Sequence, residues 1–390
     1  MKKQAQKVPV DYLLLYVPFI IIVVIAIGLI PFLVFTSYRH LLPELVRFSV
    51  PFLSSFIIVI FITPLICCLA RKYGCIDRST KFKKDKIPTP LLGGVVIFLS
   101  FAVVLLAQKN LTIEMWSIFV GGAIIFLLGT MDDIYRLSSR VRLLGQLAAT
   151  IIVMSAGLKV TFFPATWWGE GLTFLVTVFW VIGIINAMNF IDGADGLASG
   201  VAVISSLFFF LLTLHLTQLH VSVIAVIVMG AGLGFLCYNF KPAKIYLGDG
   251  GSAFLGFILA VIALFGGWSD KGPVVALGIP VTILSVLIFD MIYITISRIK
   301  NGQVKTFQEW LDYRGEDHFH HRLMKLGFGE REMVIFIYLI CFLLGFSALI
   351  FEVVEGSFYT VVVLAQVATL FFLISLLMLV GRDPKIKTGV

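Results

Sequence analysis

The chain has 390 residues, 59% of them hydrophobic and 13% charged, with a formal net charge of +8. A soluble domain averages about half apolar and about a quarter charged residues, so this composition excludes an ordinary soluble fold and points to an integral membrane protein. In such a chain Lys and Arg gather in cytoplasmic loops, which accounts for the positive balance without any nucleic-acid partner.

A hydrocarbon core about 30 Å thick requires roughly 20 apolar residues per helix. On that template about twelve spans are expected, at 12–36, 46–70, 92–108, 115–131, 143–158, 171–188, 198–216, 220–238, 252–267, 274–297, 334–351 and 359–381. The fold class is therefore an all-α polytopic bundle of about 10–12 transmembrane helices, one integral membrane domain over 1–390. The first run follows Lys2, Lys3 and Lys7; it is too long for a signal-peptide core and lacks a small-residue cleavage site, so it is expected to be retained. With those lysines inside, the basic loops Arg71 to Lys86, Arg136 to Arg142, Lys241 to Lys244 and Arg298 to Arg331 share their side, as does the tail Arg382 to Lys387. Both termini, and the polar segments at the same ends of the spans, are thus expected on the cytoplasmic face of the cell membrane. Cys67, Cys68, Cys75, Cys237 and Cys341 lack metal-ligand or redox spacing and are assigned to packing.

The polar residues that interrupt the apolar pattern carry the chemistry. Lys81, Lys83, Lys84 and Lys86 precede Pro88-Thr89-Pro90 and Gly93-Gly94, and suit either lipid headgroups or an anionic substrate. Asp132 and Asp133 end a span beside Arg136, Arg140 and Arg142; adjacent carboxylates repel, a conflict that a hard cation or a solvated helix end would relieve. Asn186, Asn189, Asp192 and Asp195 recur every third residue and would form one polar wedge on a helix, loosened by Gly193 and Gly196. The turn Gly248-Asp249-Gly250-Gly251-Ser252 opens the next span, either a plain tight turn or a place where amides and a cation meet a diphosphate. Asp290 lies inside a span, where an acid is a functional candidate unless a structural hydrogen bond retains it. His318, His320 and His321 make up half of the six histidines, and with Arg322 they suit an anion clamp better than a zinc site, although acid–base work stays open.

Taken in order, Gly74-Cys75-Ile76-Asp77 with Pro88-Thr89-Pro90 and Gly93-Gly94, the aspartate pair, the Asn/Asp/Gly stretch, Gly248-Asp249 and His318-Phe319-His320-His321-Arg322 cover roughly 45 to 350. This arrangement resembles the polyprenyl-phosphate N-acetylhexosamine-1-phosphate transferases. That superfamily includes the phospho-MurNAc-pentapeptide translocase and the enzymes that start enterobacterial common antigen, O-antigen and wall teichoic acid. The resemblance implies that a polyprenyl phosphate oxygen attacks the β-phosphorus of a UDP-N-acetylhexosamine, that UMP leaves, and that Mg2+ (or Mn2+) bridges the diphosphate. By position it makes Asp132 and Asp133 the catalytic pair, Asp249 a catalytic metal ligand with Asp133 beside it, and His320 and His321 catalytic residues of a loop closing on the diphosphate. Lys84, Lys86, Thr89, Asn186, Asn189, Asp192, Asp195, Gly248, His318 and Arg322 become substrate-binding residues. Arg322 stands where the translocase has a third histidine, which favours UDP-GlcNAc as donor, while Arg314-Gly315-Glu316-Asp317 departs from the hexosamine branch's usual Pro-Asp-Arg-like lead. The rivals are UDP-MurNAc-pentapeptide as donor, and a secondary transporter for an anionic solute. Transport is disfavoured by polar clusters at one face rather than the midplane, and by the lack of an evident inverted repeat. A homodimer is among the assemblies the chain allows.

Overall fold

Long uncharged runs can satisfy their backbone within a bilayer only by coiling into helices or closing into a barrel. The computed structural model describes residues 44–77, 89–216, 218–268, 273–306, 309, 318–353 and 357–380. Among them are the helices α1 (Glu44–Tyr73), α2 (Gly93–Leu106), α3 (Ile113–Tyr135), α4 (Ser139–Ser155), α5 (Trp167–Ile191), α6 (Leu197–His215) and α7 (Leu219–Asn239). There follow α8 (Gly248–Phe265), α9 (Pro273–Ile283), α10 (Ser285–Lys300), α11 (Phe319–Lys325), α12 (Glu330–Val353) and α13 (Ser357–Val380). No strand occurs among the described residues, where one isolated antiparallel bridge joins Ile76 to Pro90.

Seven of these helices, α1, α3, α5, α6, α7, α8 and α12, are long and apolar enough to cross a membrane. An eighth crossing results if α9 and α10, bent by 79° at their junction, count as one broken span. The expected span 274–297 is this broken pair, with Pro280 inside α9 and the short break at Leu284. The expected span 143–158 is the 17-residue α4, whose first turn carries Arg140 and Arg142, so that its uncharged part is shorter than a perpendicular crossing needs. At 92–108 the 14-residue α2 is shorter than a perpendicular crossing needs. The expected helix 12–36 lies outside the described residues, as do Lys84 and Lys86.

At the centre stands α8, which carries no charge after Asp249 and is buried on all sides from Gly250 to Ala263. A helix that is apolar all round belongs in a core, and α8 packs against α2, α3, α5 and α6. Small residues bring its start into backbone contact with two neighbours. A Cβ on Gly94 of α2 would lie 2.3 Å from the Gly251 nitrogen, and one on Gly129 of α3 would lie 2.6 Å from the Gly250 Cα.

The loop before α2 is stitched to the same place. Asp77 N–H donates to the Thr89 carbonyl (2.8 Å) and Leu91 N–H to Cys75 (3.1 Å). Tyr246 N–H then donates to the Pro90 carbonyl (2.8 Å), and Gly93 and Gly94 N–H donate to Tyr246 and Leu247 (3.0 and 2.8 Å). Thr89 is thereby held in a strap beside the start of α8.

Gly94→Ala is expected to lower the apparent melting temperature in detergent, by roughly the 1–3 kcal/mol of an overpacked core, because the methyl meets backbone. Gly171→Ala, whose Cβ meets nothing within 4 Å, is expected to leave it unchanged. Equal melting of the two variants would contradict this packing.

Candidate active site

The first turn of a helix leaves backbone N–H groups without intrahelical partners, and a buried helix start must find acceptors elsewhere. No side chain of the preceding turn caps α8. Asp133, from the end of α3, does so across the bundle: its Oδ1 accepts from the Asp249 N–H (2.9 Å) and its Oδ2 from the Gly250 N–H (3.2 Å). Gly248 makes this possible, with φ +76° and a Cα so close that a Cβ would lie 2.7 Å from Asp133 Oδ2. The glycine-rich turn therefore differs from a ready phosphate cradle. Two of its amides already serve Asp133, and the Gly251 nitrogen is pressed against Gly94.

Asp132 has another environment. It is 3% exposed, and its Oδ2 pairs with the Arg142 Nη1 of α4 at 3.0 Å. Its Oδ1 is buried without a hydrogen-bond partner.

The Asn/Asp wedge at the end of α5 divides by function. Asn186 donates to Gln146 Oε1 of α4 (3.2 Å) and to the Ile182 carbonyl (2.8 Å), tying two helices together. Asn189 Oδ1 accepts from Ser252 Oγ (2.7 Å) of α8, and Asp195 Oδ2 accepts from the Ala243 N–H (3.0 Å). The turn is clamped further by Asn239, whose Oδ1 accepts from Gly196 N–H and Ser199 Oγ, and by Tyr338, whose hydroxyl donates to the Gly196 carbonyl. Asp192 is left facing the acidic centre. Desolvation in its cleft pushes the Asp192 carboxyl well above the ordinary carboxylate range, and the charges of Asp249, Asp133 and Asp195 push it the same way.

The histidines close this centre. A Cβ on Gly193 would lie 2.3 Å from His320 Nε2, so the ring rests on the backbone next to Asp192. His320 is 0% exposed and neither of its ring nitrogens has a hydrogen-bond partner. Burial holds its imidazole well below the ordinary histidine range, helped by His321 and His318, whose ring centroids lie 4.2 and 5.7 Å away. His320 is thus a neutral group, able to donate from one nitrogen and accept at the other. Arg322 donates to Tyr293 Oη (2.8 Å) and Ser297 Oγ (3.0 Å) of α10, and lies over the Tyr293 ring.

Among the expected site residues, Asp132, Asp133, Asn189, Asp192, Asp195, Gly248, Asp249, His318, His320, His321 and Arg322 gather at the ends of α3 and α5 and the starts of α8 and α11. Asn186 sits one turn deeper. Arg298 was expected in a cytoplasmic loop but is fully buried, its guanidinium 5.8 Å from the centroid of the Phe190 ring. The signal was its i, i+4 spacing with Asp290 and Ile294, which line one buried face of α10.

Among the described residues no three His, Cys, Asp or Glu side chains form a metal-holding group. Mg2+ commonly takes one or two carboxylates, with waters and substrate phosphates completing its shell, so the mutually repelling Asp133, Asp192 and Asp249 fit that chemistry. Removing the cap tests the scaffold itself. Asp133→Ala is expected to destabilise the fold by about 1–2 kcal/mol and Asp133→Asn, which keeps one acceptor, by less; unchanged melting of the alanine variant would contradict the capping role.

Residues 115–267 match the model of the glycosyl transferase family 4. The chain is 37% identical over 316 residues to the probable undecaprenyl-phosphate N-acetylglucosaminyl 1-phosphate transferase of Bacillus subtilis, covering 79% of this chain and 86% of that one. It is 29% identical over 350 residues to the decaprenyl-phosphate N-acetylglucosaminephosphotransferase of Mycobacterium tuberculosis, with 80% and 84% covered. A phospho-N-acetylmuramoyl-pentapeptide-transferase of Bacillus velezensis is 32% identical over 254 residues, 57% of this chain and 76% of that one. With most of its length aligned to such proteins, and with the acids and histidines of its motifs meeting at one end of the bundle, the chain belongs to glycosyl transferase family 4, among the polyprenyl-phosphate N-acetylhexosamine-1-phosphate transferases.

Proposed function

We propose that this protein transfers N-acetylglucosamine 1-phosphate from UDP-GlcNAc to undecaprenyl or a similar polyprenyl phosphate at the cytoplasmic membrane face, releasing UMP and starting a cell-envelope glycan. The observation that carries this reading is His320, its two nitrogens buried without partners and its ring set on the Gly193 backbone next to Asp192. Buried polar atoms are rarely left unmatched, so such a ring awaits a ligand's polar groups. The names of the B. subtilis and M. tuberculosis relatives supply the sugar and the lipid class.

In this reaction one phosphoanhydride replaces another. An acceptor phosphate oxygen bonds to the β-phosphorus as its bond to the UMP oxygen breaks, so the demand on the protein is alignment and charge neutralisation. Asp249, with Asp133 or Asp192, would hold Mg2+ or Mn2+, which when bound supplies that neutralisation. Asp132, whose Oδ1 lacks a partner, is suited to orient the acceptor phosphate or take its proton. His320 and His321 would hold the diphosphate oxygens, with His318 and Arg322 beside them.

A prenyl tail needs an apolar berth next to this chemistry. A cavity of about 750 Å3 is lined by Phe179 of α5, by Met291, Ile292, Thr295, Ile296 and Ile299 of α10, and by the segment 302–306. The face of α10 that lines it is opposite the face that holds Arg322, so lipid and histidines share one helix.

The test is UMP release by the purified full chain with undecaprenyl phosphate. Turnover is expected with UDP-GlcNAc, to be abolished by EDTA, and to fall at least about a hundredfold in Asp249→Asn while the protein still accumulates. Release from UDP-MurNAc-pentapeptide alone, or full activity of the Asp249→Asn variant, would overturn the proposal.

A further inference from the structure

Asp290 is fully buried within α10, where an acid needs a reason to be. Its two oxygens face the start of the histidine helix. Oδ1 accepts from the Phe319 N–H at 2.7 Å, and Oδ2 lies 3.3 Å from His318 Nδ1. His318 is the N-cap residue of α11, and its side chain makes no cap of its own. Asp290 therefore caps the start of α11 from another helix, as Asp133 caps α8, though through one amide rather than two, and it also engages a ring nitrogen of the cluster. One and two turns further along α10, Tyr293 and Ser297 hold Arg322, while Phe289, next to Asp290, meets the Phe319 ring edge-on at 5.9 Å. The histidine helix is thus fixed to α10 at its first residues and again at its fourth.

The carboxylate can fix more than position. The nitrogen of a histidine that carries the proton is set by the hydrogen bond the other atoms make. A proton on His318 Nδ1, donated to Asp290, leaves Nε2 as an acceptor. The His318 ring lies 5.7 Å from His320, nearly parallel at 11°, so its orientation bears on the packing of the next ring.

We infer that Asp290 is a positioning residue of the transferase: by binding the Phe319 amide and His318 Nδ1 it sets the place of the histidine helix and the tautomer of His318. This deepens the function proposed above and rests on it for the meaning of the histidines. It also explains why this acid stands on the helix that lines the apolar cavity, since one rigid element then registers the lipid berth against the diphosphate clamp.

The experiment compares Asp290→Asn with wild type in hydrogen–deuterium exchange and in turnover. Asparagine keeps an acceptor for the Phe319 amide but sets an N–H donor opposite His318 Nδ1, where a proton on that nitrogen finds no acceptor. Exchange is expected to quicken in residues 318–325 but not in α8 or α12. The kcat is expected to fall about tenfold or more with the KM for UDP-GlcNAc little changed, and Asp290→Asn/His318→Leu to lose little beyond His318→Leu. Native exchange in 318–325, or losses that simply add, would overturn the inference. Should Asp290→Asn fail to fold, His318→Asn and His318→Leu decide. The asparagine amide can replace the Nδ1 donor and is expected to keep exchange near native, whereas leucine is expected to raise it; identical exchange in the two would overturn the inference. If wild type releases no UMP from UDP-GlcNAc, the functional reading fails, and the exchange data still settle whether Asp290 holds α11.

Discussion

The site depends on the pair of hydrogen bonds from the Asp249 and Gly250 amides to the carboxylate of Asp133. Helix α8 is the buried centre of the bundle, and its start lies where water cannot satisfy the first N–H groups. A carboxylate meets that need doubly, since it accepts both hydrogens and its charge suits the positive end of the helix dipole. Because the carboxylate comes from α3, the same two bonds lock the ends of two long helices together. Gly94, Gly129 and Gly248 remove the Cβ atoms that would hold them apart.

From this constraint follows a division of labour among polar groups that the membrane makes expensive. Asn186, Asn189, Asp195 and Asn239 each hold a neighbouring element, so their polar atoms are matched within the protein. Asp192 and His320 are different. One is a carboxyl raised by desolvation and like charge, the other a neutral imidazole with unmatched nitrogens, and both sit against the Gly193 turn. Holding groups are stable as they stand, whereas Asp192 would be relieved by a cation and His320 by the polar groups of a ligand.

Much of this was legible in the residues. Apolar runs of sufficient length had to become helices, and the order of acidic, glycine-rich and histidine segments pointed to their convergence. The break within 274–297 was not legible, because hydropathy averages over a bend and Pro280 alone does not tell a kink from a broken span. Nor could spacing separate Asp192 from Asn186 and Asp195, since a three-residue period describes one face and not the partners that each member finds. The glycine-rich turn invited a phosphate, but its amides had an acceptor 116 residues earlier in the chain. Arg298 looked like a loop cation because charge at a helix end usually marks an interface, yet here α10 carries it into the bundle.

The most direct measurement is an experimental density map of the full chain in lipid nanodiscs with UDP-GlcNAc bound. The account predicts the diphosphate between the start of α8 and the start of α11, within hydrogen-bonding reach of His320 or His321 and one cation away from Asp249. A nucleotide sugar bound elsewhere on the bundle, with His320 still enclosed and unpartnered, would contradict it.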